Sequence, residues 1–179
     1  GPQIRQSLKE FTDDPSRDTR NAVLELLDMT ANAASKAVYE AAQATGRQGM
    51  TTTLVACVIG GGSAFIVNVG DSRAYLFRKG ELRQLTEDHT MVNQLVGQGS
   101  LTREEAAENR YRNVITRAIG LYPSVQTDTL CVDLVEKDRI ILCSDGLTDM
   151  VEPELISNHL DLRNLTKVTE NLIEAALDG

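Results

Sequence analysis

The first part of the chain changes from a helical to a strand-like pattern of hydrophobic positions near residue 46. Between residues 21 and 44, apolar side chains recur three or four positions apart, as they do on the buried face of an α-helix. These positions are Val23, Leu27, Ala31, Ala34, Val38 and Ala41. The spacing predicts one long helix, capped at its start by Asp18 or Thr19 and ended by Gly46. Because many of its apolar side chains are small, this helix is expected to lie close against a sheet.

Short β-branched and apolar segments separated by glycine turns follow the helix. They predict four strands, at residues 51–59, 64–69, 73–78 and 81–85. Strands joined by such short turns pair in antiparallel fashion, so we predict a β-meander. The last two strands are predicted at residues 129–134, which alternate, and 139–143, which are apolar throughout.

Residues 86–120 interrupt the strands and are expected to form an insertion with two short helices. The first helix is predicted at residues 91–96, where apolar side chains cluster. The second opens at Thr102, because Thr102 and Glu105 match a capping box. Beyond the last strand, Pro153 is expected to open another short helix.

The end of the chain again has helical spacing. The apolar positions are Leu162, Leu165, Val168, Leu172, Ala176 and Leu177. They predict a last helix, with Gly179 directly after its final turn. The order of helix, strands, insertion, strands and helix predicts an α+β fold in a single domain covering residues 1–179.

The composition is typical of a globular protein and argues against several partners. Of 179 residues, 41% are hydrophobic and 25% are charged, and the formal net charge is −8. An acidic protein repels nucleic acid and anionic lipid on average, so neither is expected as a partner. No apolar segment approaches the ~20 residues that a membrane span needs, and no signal peptide is expected.

The cysteines, Cys57, Cys131 and Cys143, form no Cys-x-x-Cys pair and lie in apolar stretches. We therefore expect three buried, reduced thiols in a cytoplasmic protein. A zinc site is not expected, because only His89 and His159 are available as further ligands.

The segment with the strongest chemical signal is the strand at 139–143 and the Ser-Asp-Gly that follows it. Asp145 emerges at the end of this strand. If the chain turns helical there, Asp149 lies one turn later on the same face, and two carboxylates on one face suit a hard cation such as Mg²⁺ or Mn²⁺. The alternative is that Asp145 only caps a helix N-terminus, and the spacing by itself favours that alternative.

Two other polar segments are less specific. Asp71 lies in a turn between two predicted strands, where an aspartate is usually present for turn chemistry. Asp88 and His89 follow another strand and could form a general base pair or a metal ligand. A single histidine in such a place is more often a structural group whose hydrogen bonds are satisfied, and this is our default interpretation.

Five motifs occur in one order between residues 50 and 151. They are Thr-Thr-Leu-Val-Ala at 52–56, Gly-Asp-Ser-Arg-Ala-Tyr at 70–75, Leu-Thr-Glu-Asp-His at 85–89, Asn-Val-Ile-Thr-Arg-Ala-Ile-Gly at 113–120 and Leu-Cys-Ser-Asp-Gly-Leu at 142–147. Each is weak alone, but the series resembles the bacterial form of the type 2C, metal-dependent (PPM) Ser/Thr protein phosphatase family.

The resemblance implies a four-layer α-β-β-α sandwich of two antiparallel sheets. It also implies a binuclear Mg²⁺ or Mn²⁺ centre whose bridging water attacks the phosphorus of phosphoserine or phosphothreonine proteins, and a third, weaker metal site. Residues 86–120 are similar to the mobile flap of that family. Arginines in this segment could meet an acidic phosphoprotein, although solvated surface arginines are the safer interpretation; they are Arg103, Arg110, Arg112 and Arg117.

By the same resemblance, Asp145 is similar to a core metal ligand of the binuclear centre. Asp71 and Asp149 are similar to ligands of the third metal, which Asp145 shares. Gly146 matches a glycine that lets the backbone turn beside the metal.

Several parts of the family pattern are missing from residues 1–179. They are an arginine segment followed by Asn-Glu-Asp, an Asp-Gly-Met-Gly-Gly motif and a final Gly-Gly-x-Asp-Asn. The phosphate-binding arginine and several metal aspartates are therefore absent, and we predict little or no phosphatase activity for this chain alone. Sheets without their terminal strands have unpaired edges, so pairing with a second copy is also predicted.

Two other classes of protein remain as alternatives. A non-catalytic, phosphatase-like binding module would also lack these ligands. A threonine protease of the proteasome type has a similar sandwich and a Thr-Thr-Leu segment, as at 52–54. However, its nucleophile is a free N-terminal threonine, whereas Thr51 is internal and follows Met50.

Overall fold

A computed structural model describes residues 1–47 and 49–179. These residues form seven helices and six strands. The helices are α1 (Pro2–Asp13), α2 (Arg17–Thr45), α3 (Met91–Gly97), α4 (Arg103–Ala107), α5 (Asp145–Thr148), α6 (Pro153–Leu160) and α7 (Leu165–Asp178). The strands are β1 (Leu54–Gly60), β2 (Ser63–Val69), β3 (Arg73–Arg78), β4 (Glu81–Gln84), β5 (Asp128–Asp133) and β6 (Arg139–Cys143).

The chain divides into two compact units, each with one antiparallel sheet. The first unit contains residues 1–71 and 88–134, and its sheet has the order β1-β2-β5. The second unit contains residues 72–87 and 135–179, and its sheet has the order β4-β3-β6. The predicted α+β class with two antiparallel sheets is confirmed.

The predicted meander of the first four strands is wrong in one pairing, that of β2 with β3. β1 pairs with β2 and β3 pairs with β4, as expected for hairpins. β2 and β3 do not pair, because each is the central strand of its own sheet. β5 takes the second edge of β2, and β6 takes the second edge of β3. Every residue of β2 is buried, which is the burial expected of a central strand.

The core of the first unit lies between α1, α2 and the β1-β2-β5 sheet. The rings of Phe11 and Phe65 meet edge to face, with centroids 5.0 Å apart. Val23, Leu27 and Ala31 of α2 pack against this pair. The predicted apolar face of α2 is therefore confirmed at these three positions. It is wrong at Ala34 and Ala41, which are exposed, because Ser35 and Ala42 are the buried residues there.

The ends of α2 show which of its capping predictions were correct. Its N-cap is Ser16 rather than Asp18 or Thr19. Ser16 Oγ accepts the N–H of Thr19, and Thr19 Oγ1 accepts the N–H of Ser16, so Thr19 is the other half of a capping box. Gly46 ends the helix in a left-handed conformation with φ 66°, as predicted.

The second unit packs α6 and α7 against one face of its sheet. The buried residues of this core are Phe77, Val151, Ile156, Leu160, Val168 and Leu172. Pro153 opens α6, as predicted. The last helix begins at Leu165, after the N-cap Asn164, and not at Leu162. The guanidinium of Arg139 donates to the carbonyl oxygens of Leu160 and Leu162, and these bonds hold the connection between α6 and α7 outside the helix.

The three cysteines are less buried than the sequence predicted. Cys57, Cys131 and Cys143 are half-buried rather than buried, and none forms a disulfide. Burial raises the pKa of the Cys57 thiol. A raised pKa keeps a thiol protonated near neutral pH and therefore less reactive.

An ion pair fixes the turn that leads into β6. The guanidinium of Arg78 donates from Nε and NH2 to the carboxylate of Asp138, at 2.8 and 2.6 Å. The same carboxylate accepts the N–H of Val135 at 2.7 Å, and only 3% of the Asp138 side chain is exposed. The hydrogen bond from Arg78 lowers the pKa of Asp138, against the opposing effect of burial.

This lowered pKa predicts a specific acid sensitivity. Asp138 stabilises the fold fully above its unfolded pKa of about 3.9, and this contribution is lost as the pH falls through the lower folded pKa. Thermal unfolding of an Asp138→Asn variant, followed from neutral to acidic pH, should show a deficit that shrinks towards low pH. The exposed Asp161→Asn variant is the control and should follow the wild type. A deficit independent of pH would contradict the assignment.

Candidate functional site

In the first unit, the candidate residue Asp71 follows Gly70, at a position that no other residue type could occupy without strain. Gly70 has φ +106°, and a Cβ there would lie 2.5 Å from Cγ2 of Thr53. Both its unusual backbone conformation and the close approach of Thr53 therefore require glycine. The conformation of this turn therefore fixes the backbone position of the half-buried Asp71.

His89 binds this turn at two points. Its backbone N–H donates to the carbonyl oxygen of Gly70 at 3.0 Å. Its ring Nδ1 accepts the N–H of Gly70 at 3.1 Å, and only 4% of the side chain is exposed. Because Nδ1 accepts a hydrogen bond from an amide, the ring proton is on Nε2, which lies 3.1 Å from Oδ2 of Asp128.

Both ring nitrogens of His89 are thus engaged by the protein itself. This supports the default interpretation of His89 as a structural group, and it leaves neither nitrogen for a metal ion. Asp128 was absent from the predicted site, although the sequence carried a signal for it. It is a charged residue directly before an alternating strand, at the residue where β5 begins.

Arg117 completes this network. Its NH1 donates to Oδ1 of Asp128 at 2.8 Å and lies 3.1 Å from Nε2 of His89. Burial acts to raise the pKa of Asp128, but hydrogen bonds from His89 and Arg117 outweigh it and lower that pKa overall. The carboxylate is therefore charged at neutral pH and serves both neighbours.

In the second unit, the chain passes from β6 directly into a short helix that carries two candidate carboxylates. Ser144 occupies the N-cap position of α5, and Asp145 is its first residue. The N–H of Asp149 donates to the carbonyl oxygen of Asp145 at 2.8 Å, so these two residues are one turn apart. Both are exposed, on the same face, as the spacing predicted.

The structure also tests the capping alternative for Asp145. The cap position belongs to Ser144, so Asp145 is not the N-cap. Its carboxylate Oδ1 nevertheless accepts the N–H of Gly146 at 2.9 Å, which satisfies one amide of the first turn.

The comparisons with known proteins decide the family. The sequence profile described as Protein phosphatase 2C matches residues 2–178. The chain belongs to the protein phosphatase 2C family. The threonine-protease alternative therefore has no support.

Curated relatives in this family are bacterial Ser/Thr phosphatases. The chain is 41% identical over 128 residues to the serine/threonine phosphatase stp of Listeria welshimeri, covering 72% of the chain and 48% of the relative. It is 42% identical over 132 residues to the serine/threonine protein phosphatase PstP of Mycobacterium tuberculosis, covering 74% of the chain and 26% of the relative. The chain thus spans about half the length of its Listeria relative, or less for PstP.

Solved structures of the same family share the fold. The crystal structure of the Mycobacterium tuberculosis phosphatase PstP/Ppp superposes with a TM-score of 0.81 at 34% identity, covering 99% of this chain and 74% of that one. The catalytic domain of PstP in complex with two manganese ions gives a TM-score of 0.77 at 35% identity, covering 99% and 73%. The predicted fold of the type 2C phosphatases is therefore confirmed.

A protein phosphatase 2C is metal-dependent, so the candidate carboxylates can be compared with what a metal needs. Asp145 and Asp149 supply two exposed carboxylates one turn apart, which is the donor chemistry that Mg²⁺ and Mn²⁺ prefer. Among residues 1–47 and 49–179, no three His, Cys, Asp or Glu side chains form a group that could hold a metal ion. The assignment of Asp71, Asp145 and Asp149 as metal ligands stays a prediction.

The reason given for a glycine at position 146 is wrong. Gly146 lies inside α5 and is absent from the residues with positive φ. A Cβ there would meet only Oγ of Ser144, at 3.4 Å, which is an ordinary contact. The backbone of this chain at position 146 does not use the conformational freedom of glycine, and a role of Gly146 beside a metal stays a prediction.

The predicted substrate arginines lie in different surroundings. Arg112 is exposed to solvent, whereas Arg117 is 26% exposed and bonded to Asp128. In the described residues, no helix is both long and apolar enough to cross a membrane.

Proposed function

We propose that the protein to which this chain belongs removes phosphate from phosphoserine and phosphothreonine in other proteins. The observation that carries the proposal is the Protein phosphatase 2C match across residues 2–178. The names of its relatives, such as the serine/threonine phosphatase stp, support the same substrate class. Phosphorylated proteins are then its partners, and its cofactors are Mg²⁺ or Mn²⁺.

The chemistry proposed is hydrolysis by a metal-activated water. When bound, the cations supply a water of lowered pKa that attacks phosphorus, and the serine or threonine oxygen leaves and takes up a proton. Asp145 and Asp149 would hold a cation in the second unit, and Asp71 would serve as a ligand in the first. We propose two ions in the main centre and a third, weaker one. The two manganese ions of the PstP structure are consistent with two ions in the main centre.

The exposed arginines of the insertion would meet the substrate. We propose that Arg112 attracts an acidic phosphoprotein, because its charge is presented to solvent. Arg117 has Asp128 as an internal partner, so any contact with a phosphate would have to share that guanidinium. The insertion at about 86–120 keeps its proposed role as a flap.

Asp145 gives the sharpest test of the metal proposal. In the longest natural protein that contains this sequence, Asp145→Asn should lower kcat/KM for a phosphothreonine peptide with Mn²⁺ by about 100-fold or more. Loss of a partner behind a ligand already costs about 10–100-fold, and a ligand itself should cost more. The exposed Asp161→Asn variant should stay within about 2-fold. Equal activities of Asp145→Asn and wild type would exclude Asp145 as a core ligand.

The second candidate function is a non-catalytic, phosphatase-like module. It is favoured by one observation: among residues 1–47 and 49–179, no three His, Cys, Asp or Glu side chains form a group that could hold a metal ion. The same peptide assay on the longest natural protein that contains this sequence separates the two functions. Background activity that does not respond to Mn²⁺ fits a module, and Mn²⁺-dependent turnover abolished by Asp145→Asn fits an enzyme.

We also propose that a second copy of the chain pairs along β6. In the described residues, β6 has a strand neighbour on one edge only. A groove of about 680 Å³ runs beside it, lined mainly by apolar side chains that include Leu142, Leu165 and Ile173. Two β6 strands paired in antiparallel fashion about Ile141 would place Arg139 opposite Cys143, so like charges would not meet.

Sedimentation tests this pairing. At high protein concentration the chain should sediment as a dimer, and Leu142→Lys should shift it towards the monomer, because a charge would enter the apolar groove. Met29→Lys, at a residue of α2 that is 65% exposed, is the control and should leave the dimer intact. A wild-type chain that remains monomeric throughout would contradict the proposal.

A cytoplasmic location is proposed on the basis of the cysteines. Cys57, Cys131 and Cys143 form no disulfide, which is the usual state of thiols in a reducing compartment.

A further inference from the structure

Both polar backbone groups of Gly70 are hydrogen-bonded to one residue, His89. The carbonyl oxygen of Gly70 accepts the backbone N–H of His89, and the N–H of Gly70 donates to His89 Nδ1. We propose that His89 is a positioning residue, which holds the Gly70–Asp71 turn so that Asp71 can serve as a cation ligand. The proposal rests on the metal-dependent function proposed above and assigns a residue that the motif comparison left without a role.

The turn needs such a restraint because its backbone is unusual. Gly70 has φ +106°, a conformation that other residues avoid. Backbone conformations of this kind persist when the surrounding structure fixes them from several directions. Here the surroundings include Thr53, which approaches the position of a Gly70 Cβ within 2.5 Å, and the side-chain amide of Asn68, which donates to the Gly70 carbonyl at 3.3 Å.

The groups beside Nε2 of His89 determine the tautomer of the ring, and so whether Nδ1 can accept a hydrogen bond from Gly70. Oδ2 of Asp128 lies 3.1 Å from Nε2 and accepts the proton there. Arg117 bonds the other oxygen of the same carboxylate at 2.8 Å, which keeps it charged and oriented. With the proton held on Nε2, Nδ1 is the acceptor that the Gly70 N–H requires. Asp128 and Arg117 therefore act on Asp71 through His89.

Two substitutions separate this role from simple packing. In His89→Asn, the side-chain oxygen can take the place of Nδ1 and accept the Gly70 N–H, but nothing reaches Asp128. In His89→Gln, the longer side chain places its amide near the position of Nε2 and loses the acceptor for Gly70. Glutamine also fills more of the histidine volume, so a packing role predicts that Gln is the milder change. The positioning role predicts the opposite order.

Amide hydrogen exchange of Gly70, measured by NMR on the full chain, tests the hydrogen bond itself. In His89→Gln, the Gly70 amide should exchange at least about 10-fold faster than in the wild type, because a buried N–H loses its acceptor. In His89→Asn, the rate should stay within about 3-fold of the wild type. This measurement needs no metal ion and no enzymatic activity.

Addition of Mn²⁺ alone to the same samples tests whether the turn positions Asp71. Paramagnetic broadening of the Asp71 resonances should reach its midpoint at about 10-fold higher Mn²⁺ in His89→Gln than in the wild type, whereas His89→Asn should remain close to the wild type. Circular dichroism confirms that each variant is folded. If either variant unfolds, Asp128→Asn replaces it, because it weakens the support of the ring without removing Nδ1. It should raise both the exchange rate and the Mn²⁺ midpoint.

Three results would overturn the proposal. The first is a milder effect of Gln than of Asn, which would show that the ring only fills space. The second is the expected order in exchange with identical Mn²⁺ midpoints, which would show a turn that is held but does not present a ligand. The third is a wild type in which Mn²⁺ leaves Asp71 unaffected. That result would remove Asp71 from the ligands, while hydrolysis by the intact protein would still decide the proposed function separately.

Discussion

Replacing Phe65 by alanine is expected to lower the free energy of unfolding by about 3–5 kcal/mol, the range for a buried aromatic truncated in a core. Phe65 is 0% exposed in the central strand β2, and its ring meets that of Phe11 at a centroid distance of 5.0 Å. Truncation removes the buried apolar surface, the ring contact and the packing between α1 and the sheet at one point. Denaturant unfolding measures the change.

The control for Phe65→Ala is Met29→Ala. Met29 is 65% exposed on α2, so its truncation should change the free energy of unfolding by less than about 0.5 kcal/mol. A loss below about 1 kcal/mol for Phe65→Ala would mean that the first unit does not depend on this aromatic pair. An unchanged denaturant m-value is expected as well, because the surface exposed on unfolding hardly changes.

The second large effect is expected at Gly120. This glycine has φ +85°, its added Cβ would clash with Cγ1 of Val38, and it would lie 2.8 Å from the carbonyl oxygen of Met50. The N–H of Gly120 also donates to Oγ of the buried Ser35, so the segment cannot simply move away. Gly120→Ala combines left-handed strain of about 1–2 kcal/mol with overpacking of about 1–3 kcal/mol.

Gly46 is the matched control for Gly120, because it separates conformation from crowding. Gly46 also has a left-handed backbone, with φ +66°, but nothing lies within 4 Å of its added Cβ. Gly46→Ala should therefore cost only the strain of about 1–2 kcal/mol. If the two alanine variants lose the same stability by denaturant unfolding, then crowding by Val38 and Met50 contributes nothing.

The parts of the fold that the sequence predicted well are those set by local patterns. Residues 139–143 were predicted as a strand and form β6 with the same bounds, because a short apolar run between polar turns has few other solutions. The capping box at Thr102 and the helix start at Pro153 were also confirmed. In each case the residues that determine the structure lie within one or two turns of each other.

The errors arose where the outcome depended on distant residues. The pairing of β2 with β5, and of β3 with β6, is decided by which strands complete each sheet. A local reading of consecutive strands and turns therefore predicted a meander. Ser16 was missed for a different, local reason: α2 begins at Arg17, nearly two turns before Val23, the first apolar position used for the prediction.

The site was predicted unevenly for the same reason. The one-turn spacing of Asp145 and Asp149 is a local property and was predicted correctly. The partners of His89 lie far along the chain, at Gly70 and Asp128, so the histidine could be given a default role but not its hydrogen bonds. Gly146 was assigned a special backbone from its motif, although the helix around it makes that unnecessary.

β2 and β3 are consecutive along the chain but are central strands of separate sheets, and this topology has a consequence for folding kinetics. Each sheet can begin with a local hairpin, but its third strand arrives from far along the chain; Ser63 Oγ reaches Asp133 across 70 residues. Closing loops of this length precedes the gain from strand pairing, so the addition of β5 and β6 should be the slow steps. The entropic free-energy cost of loop closure rises by only about 0.6 kcal/mol for each doubling of loop length. The segment between the hairpins and β5 can therefore vary in length at little thermodynamic cost. Variation there should alter the folding rate more than the final stability.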